Sequence, residues 1–545
     1  MAKILARLAV ALILITAASA CWGTVDEKSP PASAASATAA KSAVAPENAK
    51  KSAPDQTEKS DKGDKAEKSE KTPAADEPVV TEHAITLAGQ EFKFTATTGC
   101  LAIKDEAGKP RADMFFVAYT RGKPGDPADP KNSARPVTFV FNGGPGAAAI
   151  WLHVGALGPK RVLSAKDGTA LPTTVELVDN DFTWLDFTDL VFIDPVGTGY
   201  SRPASGIDLK EFTGIHNDVQ SVGEFIRLYV TRYQRWLSPK FLAGESYGTT
   251  RAAALSGHLQ SHLAMTVNGL VLISSVLDFQ AIRFERGNDL PYTLYLPSYA
   301  AAAQYHKKLI PDLQKLPLDE LLAKVEHWAD TDYRAALAKG DTLSDGEREK
   351  IVDQLAAFTG LSKSFIRSHH LRLDQGDFAN ELLREENRRL GLYDARVAGI
   401  KADEEAWLTD PSIFVTAGPL VAGLNDYVRR DLKYKNELSY KFLNPEVGGS
   451  WNWGSAAGGY VNVGGTLQQA MSANTRLKVL VCCGQYDLVT AYAAQRYTVH
   501  HLGLDPAVRD NISLKYYPAG HMLYVLPSAL ESLHHDAAAF FKSAM

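Results

Sequence analysis

Apolar residues in this chain fall into short runs separated by helical stretches. Val137-Thr-Phe-Val-Phe141, Leu190-Val-Phe-Ile-Asp194, Phe241 to Ala243, Leu270 to Ile273, Leu477 to Cys483 and Ser513 to Tyr517 all carry a strand pattern. Glu91 to Ala96 alternates apolar and polar residues, and Met114 to Tyr119 follows it. Asn217 to Trp236 instead spaces Val219, Val222, Phe225, Ile226 and Tyr229 along one helix face. Apolar strands that alternate with helices predict an α/β fold with a mostly parallel central sheet and helices on both faces. After Asp278 the rhythm breaks. Residues near 285 to 460 are helix-rich, charged and aromatic, until Leu477 restores the strand pattern. The expected organisation is a core of residues 79–284 and 466–545 interrupted by a helical cap at 285–465, lying over the strand ends.

The N-terminal residues follow a different pattern. Lys3 and Arg7 precede a short apolar run, Leu8 to Ile15, and Ala18-Ser19-Ala20 has the small residues of a cleavage site. Residues 1–20 therefore predict a signal peptide and an exported protein, periplasmic, in the cell envelope or secreted. Cys21 comes next. Lipidation of Cys21, which would tether the chain to a membrane, and ordinary cleavage both stay open, because a lipoprotein signal usually carries Leu where Ala18 stands. From Thr24 to about Asp76 there is no aromatic residue, Leu or Ile. Such a stretch buries too little apolar surface to offset its ordering entropy, so residues 21–78 are expected to be a disordered linker.

Composition narrows the function. The chain has 545 residues, 45% of them hydrophobic and 22% charged, with a formal net charge of −5. That is globular, and it offers no basic stripe for a nucleic acid. The cysteines are Cys21, Cys100, Cys482 and Cys483, too few for a disulfide scaffold. Cys482 and Cys483 fit as small buried hydrophobes on a strand. Neither H-E-x-x-H nor a paired C-x-x-C occurs, so no metal and no cofactor is expected.

Gly244-Glu245-Ser246-Tyr247-Gly248 is a G-x-S-x-G sequence between an apolar strand and a helix, the context in which a serine is held on a sharp turn with its oxygen exposed. A serine nucleophile needs a base and an acid to orient that base. Asp487, in Gly484-Gln485-Tyr486-Asp487, and His521, in Gly520-His521-Met522, each follow a late strand. The order Ser, Asp, His is that of the α/β-hydrolase fold. The N–H of Tyr247 and one from the Asn142-Gly143-Gly144-Pro145-Gly146 turn would supply an oxyanion hole.

Together with Asp194-Pro-Val-Gly-Thr-Gly-Tyr-Ser201, these blocks resemble the serine carboxypeptidase family from about residue 135 to the C-terminus. The resemblance implies a triad of Ser246, Asp487 and His521, an oxyanion hole at the N–H groups of Gly144 and Tyr247, and a site for the substrate's C-terminal carboxylate at Asn142 and Glu245. The partner it implies is a peptide with a free C-terminus. A carboxylate facing Glu245 would share a proton with it, which favours acid pH. The chain also departs from the family pattern. Ala156 stands where a second Glu is common before Leu157-Gly158-Pro159. Ala147-Ala148-Ala149 replaces Cys-Ser-Ser, and Thr249 replaces a glycine. These changes bear on exopeptidase specificity more than on hydrolysis. An esterase or acyltransferase using the same triad, and a binding lipoprotein on an inactive hydrolase fold, are the alternatives. The sequence carries no reading of oligomeric state.

Overall fold

The computed structural model describes residues 77–122, 134–169, 174–401, 410–454 and 459–545. The residues expected to form an export signal, Cys21 and the expected linker up to residue 76 lie outside the described residues.

The central sheet has ten strands. Its long strands are β1 (Val79–Leu87), β2 (Gln90–Lys104), β3 (Pro110–Thr120), β4 (Val137–Phe141), β5 (Asp189–Ile193), β6 (Lys240–Glu245), β7 (Gly269–Ile273), β8 (Lys478–Gly484) and β9 (Ile512–Tyr517). Their order is β1-β2-β3-β5-β4-β6-β7-β8-β9, with the short strand Arg202–Pro203 paired to β3. The strands from β5 to β9 in this order run parallel, and β1, β2 and β3 join antiparallel at one edge. This is an α/β-hydrolase fold with a mostly parallel sheet.

Burial explains which strands could be read in advance. β4, β5, β6 and β7 are buried along their whole length, so each appears as an apolar run. β1 alternates between partly buried and exposed positions, leaves one face to solvent and was not foreseen as a strand. The Ala88-Gly89 turn, with φ of 49° and 78°, folds it back onto β2 as a hairpin, and β2 extends the expected Glu91–Ala96 stretch to Lys104.

Successive strand residues feed opposite layers. Phe139, Phe141, Leu242, Leu270 and Leu272 pack with α1 (Ile215–Arg232) and α2 (Tyr247–Leu263). Val140, Phe241, Ala243, Val271 and Ile273 face the other layer. The expected amphipathic helix is α1, beginning at Ile215 and ending at Arg232 rather than Trp236. The chain leaves the helix at Tyr233, and Gln234 has a positive φ. Cys482 and Cys483, neighbours on β8, point to opposite layers. Both are wholly buried and unpaired, and burial pushes the Cys482 thiol up to about 12.

Between β7 and β8 lie mainly helices, among them α3 (Leu290–Tyr305), Leu318–Trp328, Asp345–Thr359 and α4 (Pro411–Arg430). Tyr295, Tyr299, Val325, Leu355 and Phe378 share one continuous core with the α1 and α2 face of the sheet, so this stretch packs into the body of the fold. It also contains a two-stranded ribbon, Arg388–Leu390 with Ala398–Ile400, too short and too charged to leave a strand signature. The chain ends in α5 (Pro527–Ala544), which stacks Phe541 on Phe241 with ring centroids 4.0 Å apart. No helix among the described residues is long and apolar enough to cross a membrane.

At the N-terminal ends of the parallel strands, the buried Asp189 carboxylate accepts hydrogen bonds from Arg135 Nε at 2.7 Å, Arg235 Nη1 at 2.6 Å and the Arg121 N–H at 3.0 Å. Removing one side of such a network strands charges in the interior, at a cost of about 3–5 kcal/mol. Asp189→Ala is therefore expected to lower the urea unfolding midpoint strongly while leaving turnover per folded molecule unchanged. Asp189 is at the opposite end of the sheet from Ser246.

Candidate active site

The groups singled out from sequence gather at the C-terminal ends of β4, β6, β8 and β9, the edge where open α/β sheets bind ligands. Ser246 joins β6 to α2 with φ 59° and ψ −131°, a conformation that non-glycine residues rarely hold. Its N–H donates to the Ile273 carbonyl on β7 at 3.0 Å. Glycine is required around it. A Cβ on Gly244 would come within 2.2 Å of the Gly248 carbonyl oxygen, and one on Gly143 within 2.5 Å of the Tyr247 nitrogen. The turn after β4 therefore lies directly against the start of α2. Tyr247 is the first residue of α2, so its N–H has no partner within the helix. Thr249 departs from glycine to mutual benefit: its hydroxyl donates to the Ser246 carbonyl at 2.7 Å and accepts the Val276 N–H at 2.9 Å.

His521 and Asp487 meet through a hydrogen bond of 2.8 Å between Nδ1 and Oδ2. Both side chains are buried. The Asp487 carboxylate also accepts the N–H groups of Val489 and Thr490 at 2.7 and 2.9 Å and the Thr490 hydroxyl at 2.7 Å. Burial alone would lower the His521 pKa. The charge of Asp487, its hydrogen bond and, more weakly, the charge of Glu245 carry it above the ordinary histidine value. His521 Nε2 is buried without a hydrogen-bond partner, and Ser246 is half-buried. The serine–histidine hydrogen bond is thus not formed here; such bonds often tighten only with substrate.

The backbone of the same imidazole is fixed from two sides. The His521 N–H donates to the Tyr393 carbonyl at 2.6 Å, and Ser274 Oγ donates to the His521 carbonyl at 2.6 Å. The Tyr393 ring stands edge-on to the imidazole at 5.3 Å.

Beside Ser246, Asn142 Nδ2 donates to Glu245 Oε1 at 3.0 Å, and Asn142 Oδ1 accepts the Leu152 N–H at 3.1 Å. Burial is the largest influence on Glu245 and pushes its carboxyl up to about 7, against the opposing pull of His521, Tyr524 and Asn142. The Tyr524 hydroxyl lies beside the same carboxyl, and neither it nor Glu245 Oε2 makes a well-formed hydrogen bond. Ala156, at the position of the missing acid, is wholly buried in the wide turn His153–Leu157.

Several residues that sequence patterns did not mark hold this arrangement. Arg251 on α2 is almost fully buried. Its Nε donates to Asp218 on α1 at 2.8 Å and its Nη1 to the Asn142 carbonyl at 2.6 Å, while Tyr247 donates to the same Asp218 at 3.2 Å. Asp194, in the second glycine block, is buried and raised to about 7 by desolvation; it accepts the Ala149 N–H at 2.8 Å and so ties the loop after β5 to the residues following Gly146. A cavity of about 850 Å³ opens nearby, lined by Ile215, His258, Trp453 and Asn462 among others. It is separate from the candidate triad: Ser246, Asp487 and His521 do not line it, although Trp453 stands edge-on to Tyr247 at 6.0 Å.

A serine on a strand-to-helix turn, with a histidine–aspartate pair on the loops after later parallel strands, defines an α/β hydrolase. Residues 87–281 match the model of the serine carboxypeptidase family. That segment contains the Asn142–Gly146 turn and Ser246; Asp487 and His521 lie beyond it. Carboxypeptidase Y homolog A of Chaetomium globosum is 28% identical over 142 residues, 26% of this chain and 23% of that one. Serine carboxypeptidase-like 33 of Arabidopsis thaliana is 28% identical over 178 residues, 32% of this chain and 31% of that one. The pheromone-processing carboxypeptidase KEX1 of Cryptococcus gattii is 31% identical over 144 residues, 26% of this chain and 19% of that one. The chain thus spans between 19% and 31% of the length of these relatives. Over the matched segment it is similar to the serine carboxypeptidase family.

Thr490 is the least expected contributor. Its hydroxyl donates to Asp487 Oδ2 and stands 3.2 Å from His521 Nδ1. A hydrogen bond to a charged group contributes about 1.5–3 kcal/mol. Thr490→Val is expected to lower kcat roughly ten- to a hundredfold with KM little changed, and to shift the acid limb of the pH–rate profile. Unaltered kcat and pH profile would show that the hydroxyl has no part in orienting the pair.

Proposed function

We propose that this chain is a serine-type carboxypeptidase that removes C-terminal residues from peptides through an acyl-enzyme on Ser246. The observation that carries the reading is the buried Asn142–Glu245 pair immediately beside the nucleophile turn. An amide N–H and a protonated carboxyl are both donors to a carboxylate, and burial keeps Glu245 protonated below about pH 7.

The chemistry follows from the groups present. His521 Nε2 takes the proton of Ser246 Oγ as the oxygen attacks the carbonyl carbon of the scissile peptide bond. Asp487 holds the imidazole by Nδ1 and stabilises its charged form. The N–H groups of Gly144 and Tyr247 receive the oxyanion. The C–N bond then breaks, and the departing amine, which carries the C-terminal carboxylate, takes the proton from His521. Water repeats the sequence: it gives a proton to His521, attacks the acyl carbon, and the Ser246 oxygen leaves as the proton returns to it. Export belongs to the same proposal, supported by the N-terminal sequence, with Cys21 either acylated or the first residue after ordinary cleavage.

Ser246→Ala is expected to reduce hydrolysis roughly a million-fold without unfolding the protein. A fluorophosphonate should label wild type at Ser246 alone. Labelling at another serine, with activity kept in the variant, would defeat the assignment.

The pH dependence has a definite sign. Below about pH 7 Glu245 is neutral and donates; above it the carboxylate repels the substrate's own. The kcat/KM for a peptide with a free C-terminus is expected to fall as pH rises through about 7, while that of its C-terminal amide does not. In Glu245→Gln, which cannot ionise, the fall should largely disappear. Equal rates for acid and amide at every pH would move the esterase or acyltransferase reading to first place.

A further inference from the structure

Position 156 poses a problem of chemistry. The site has one buried acid, Glu245, where a pair would hold a carboxylate better, and the side chain at 156 is a buried methyl group. Nearby is another buried polar group that makes no well-formed hydrogen bond. Tyr524, in the short turn Leu523–Val525 just after His521, is 1% exposed. A buried hydroxyl left without a good hydrogen bond costs free energy, and beside the Ser246 turn a bound substrate group could supply the missing partner. The hydroxyl lies beside the Glu245 carboxyl and interacts with it, but neither the hydroxyl nor Glu245 Oε2 makes a well-formed hydrogen bond.

The packing shows why the ring can be there. Tyr524 rests against Gly155, the residue before Ala156: a Cβ on Gly155 would approach Tyr524 Cε2 to 3.0 Å. The absence of a side chain at 155 leaves room on that turn, and the tyrosine ring occupies it.

We infer that Tyr524 is a third carboxylate-binding group, its hydroxyl donating to the substrate's C-terminal carboxylate alongside Asn142 and protonated Glu245, in place of the acid that position 156 lacks. The inference rests on the carboxypeptidase reading. A phenol differs from a carboxyl group in one useful way. It stays protonated across the working pH range, and burial with Glu245 beside it raises its pKa further. The share of carboxylate binding that Tyr524 supplies is therefore independent of pH up to and beyond neutrality. A residual preference for free acids should persist after Glu245 has ionised.

The test is Tyr524→Phe, which keeps the ring and its packing on Gly155 and removes only the oxygen. With a peptide and its C-terminal amide as substrates between pH 5 and 8, KM for the acid is expected to rise about ten- to a hundredfold, the loss of one hydrogen bond to a charged group. The kcat for the acid and both constants for the amide should stay near wild type. In the Ser246→Ala background, Kd for the same free-acid peptide should weaken by the same factor when Tyr524→Phe is added. A merely structural role would lower the melting temperature and affect acid and amide alike. If wild type prefers the acid and Tyr524→Phe retains that preference in full, the inference about Tyr524 is overturned and the carboxypeptidase reading survives. If wild type shows no preference at all, both are overturned.

Discussion

The site depends on a close backbone contact around one strained residue. Ser246 sits at φ 59° between β6 and α2, and it can do so because the turn after β4 touches the first turn of α2 with no side chain between them. Glycine at 143, 244 and 248 is a steric demand of that contact: each hypothetical Cβ would lie within 2.8 Å of a backbone atom on the facing segment. The same closeness brings the Asn142–Gly146 turn to the free N–H of Tyr247 and Asn142 to Glu245. The buried Arg251, bonded to the Asn142 carbonyl and to Asp218, locks the two segments in this relation from beneath.

Four buried acids surround the nucleophile turn, and their partners sort them. Asp218 is paired with Arg251. Asp487 accepts hydrogen bonds from two N–H groups and a hydroxyl and is bonded to His521. Glu245 and Asp194 are raised to about 7, burial outweighing the donors around each. A carboxyl group that stays neutral can donate a hydrogen bond, and the one beside Ser246 is Glu245.

The insertion between β7 and β8 helps to build the site as well as flank it. Residues just after the first strand of its small ribbon bond to both late loops: the Leu488 N–H donates to the Leu392 carbonyl at 2.9 Å, the Ala395 N–H to the Tyr486 carbonyl at 3.0 Å, and the His521 N–H to the Tyr393 carbonyl. Asp394 and Arg396 close this turn with a two-point ion pair that lies against Tyr486. The positions of Asp487 and His521 are thus set partly by a segment about a hundred residues away in sequence. A change in this turn would reach the histidine–aspartate pair without touching either residue.

The parallel half of the sheet was legible in the sequence because its strands are buried on both faces and so appear as apolar runs. Ser246 was legible because its turn admits only a narrow pattern of glycines, and Asp487 and His521 because they follow strands in a fixed order. β1 and the ribbon were not, since a strand with one wet face and a strand of three residues leave little pattern. Nor were Asp218, Arg251, Tyr393, Thr490 and Tyr524, whose residue types are ordinary and whose neighbours are local only in space. The amino-acid sequence by itself marked the candidate groups Ser246, Asp487 and His521 and the order in which the chain delivers them. Only the tertiary structure decided which buried acid is paired, which has its pKa raised by burial and which hydroxyl makes no well-formed hydrogen bond, because desolvation and hydrogen bonding are properties of a packed neighbourhood and not of a chain.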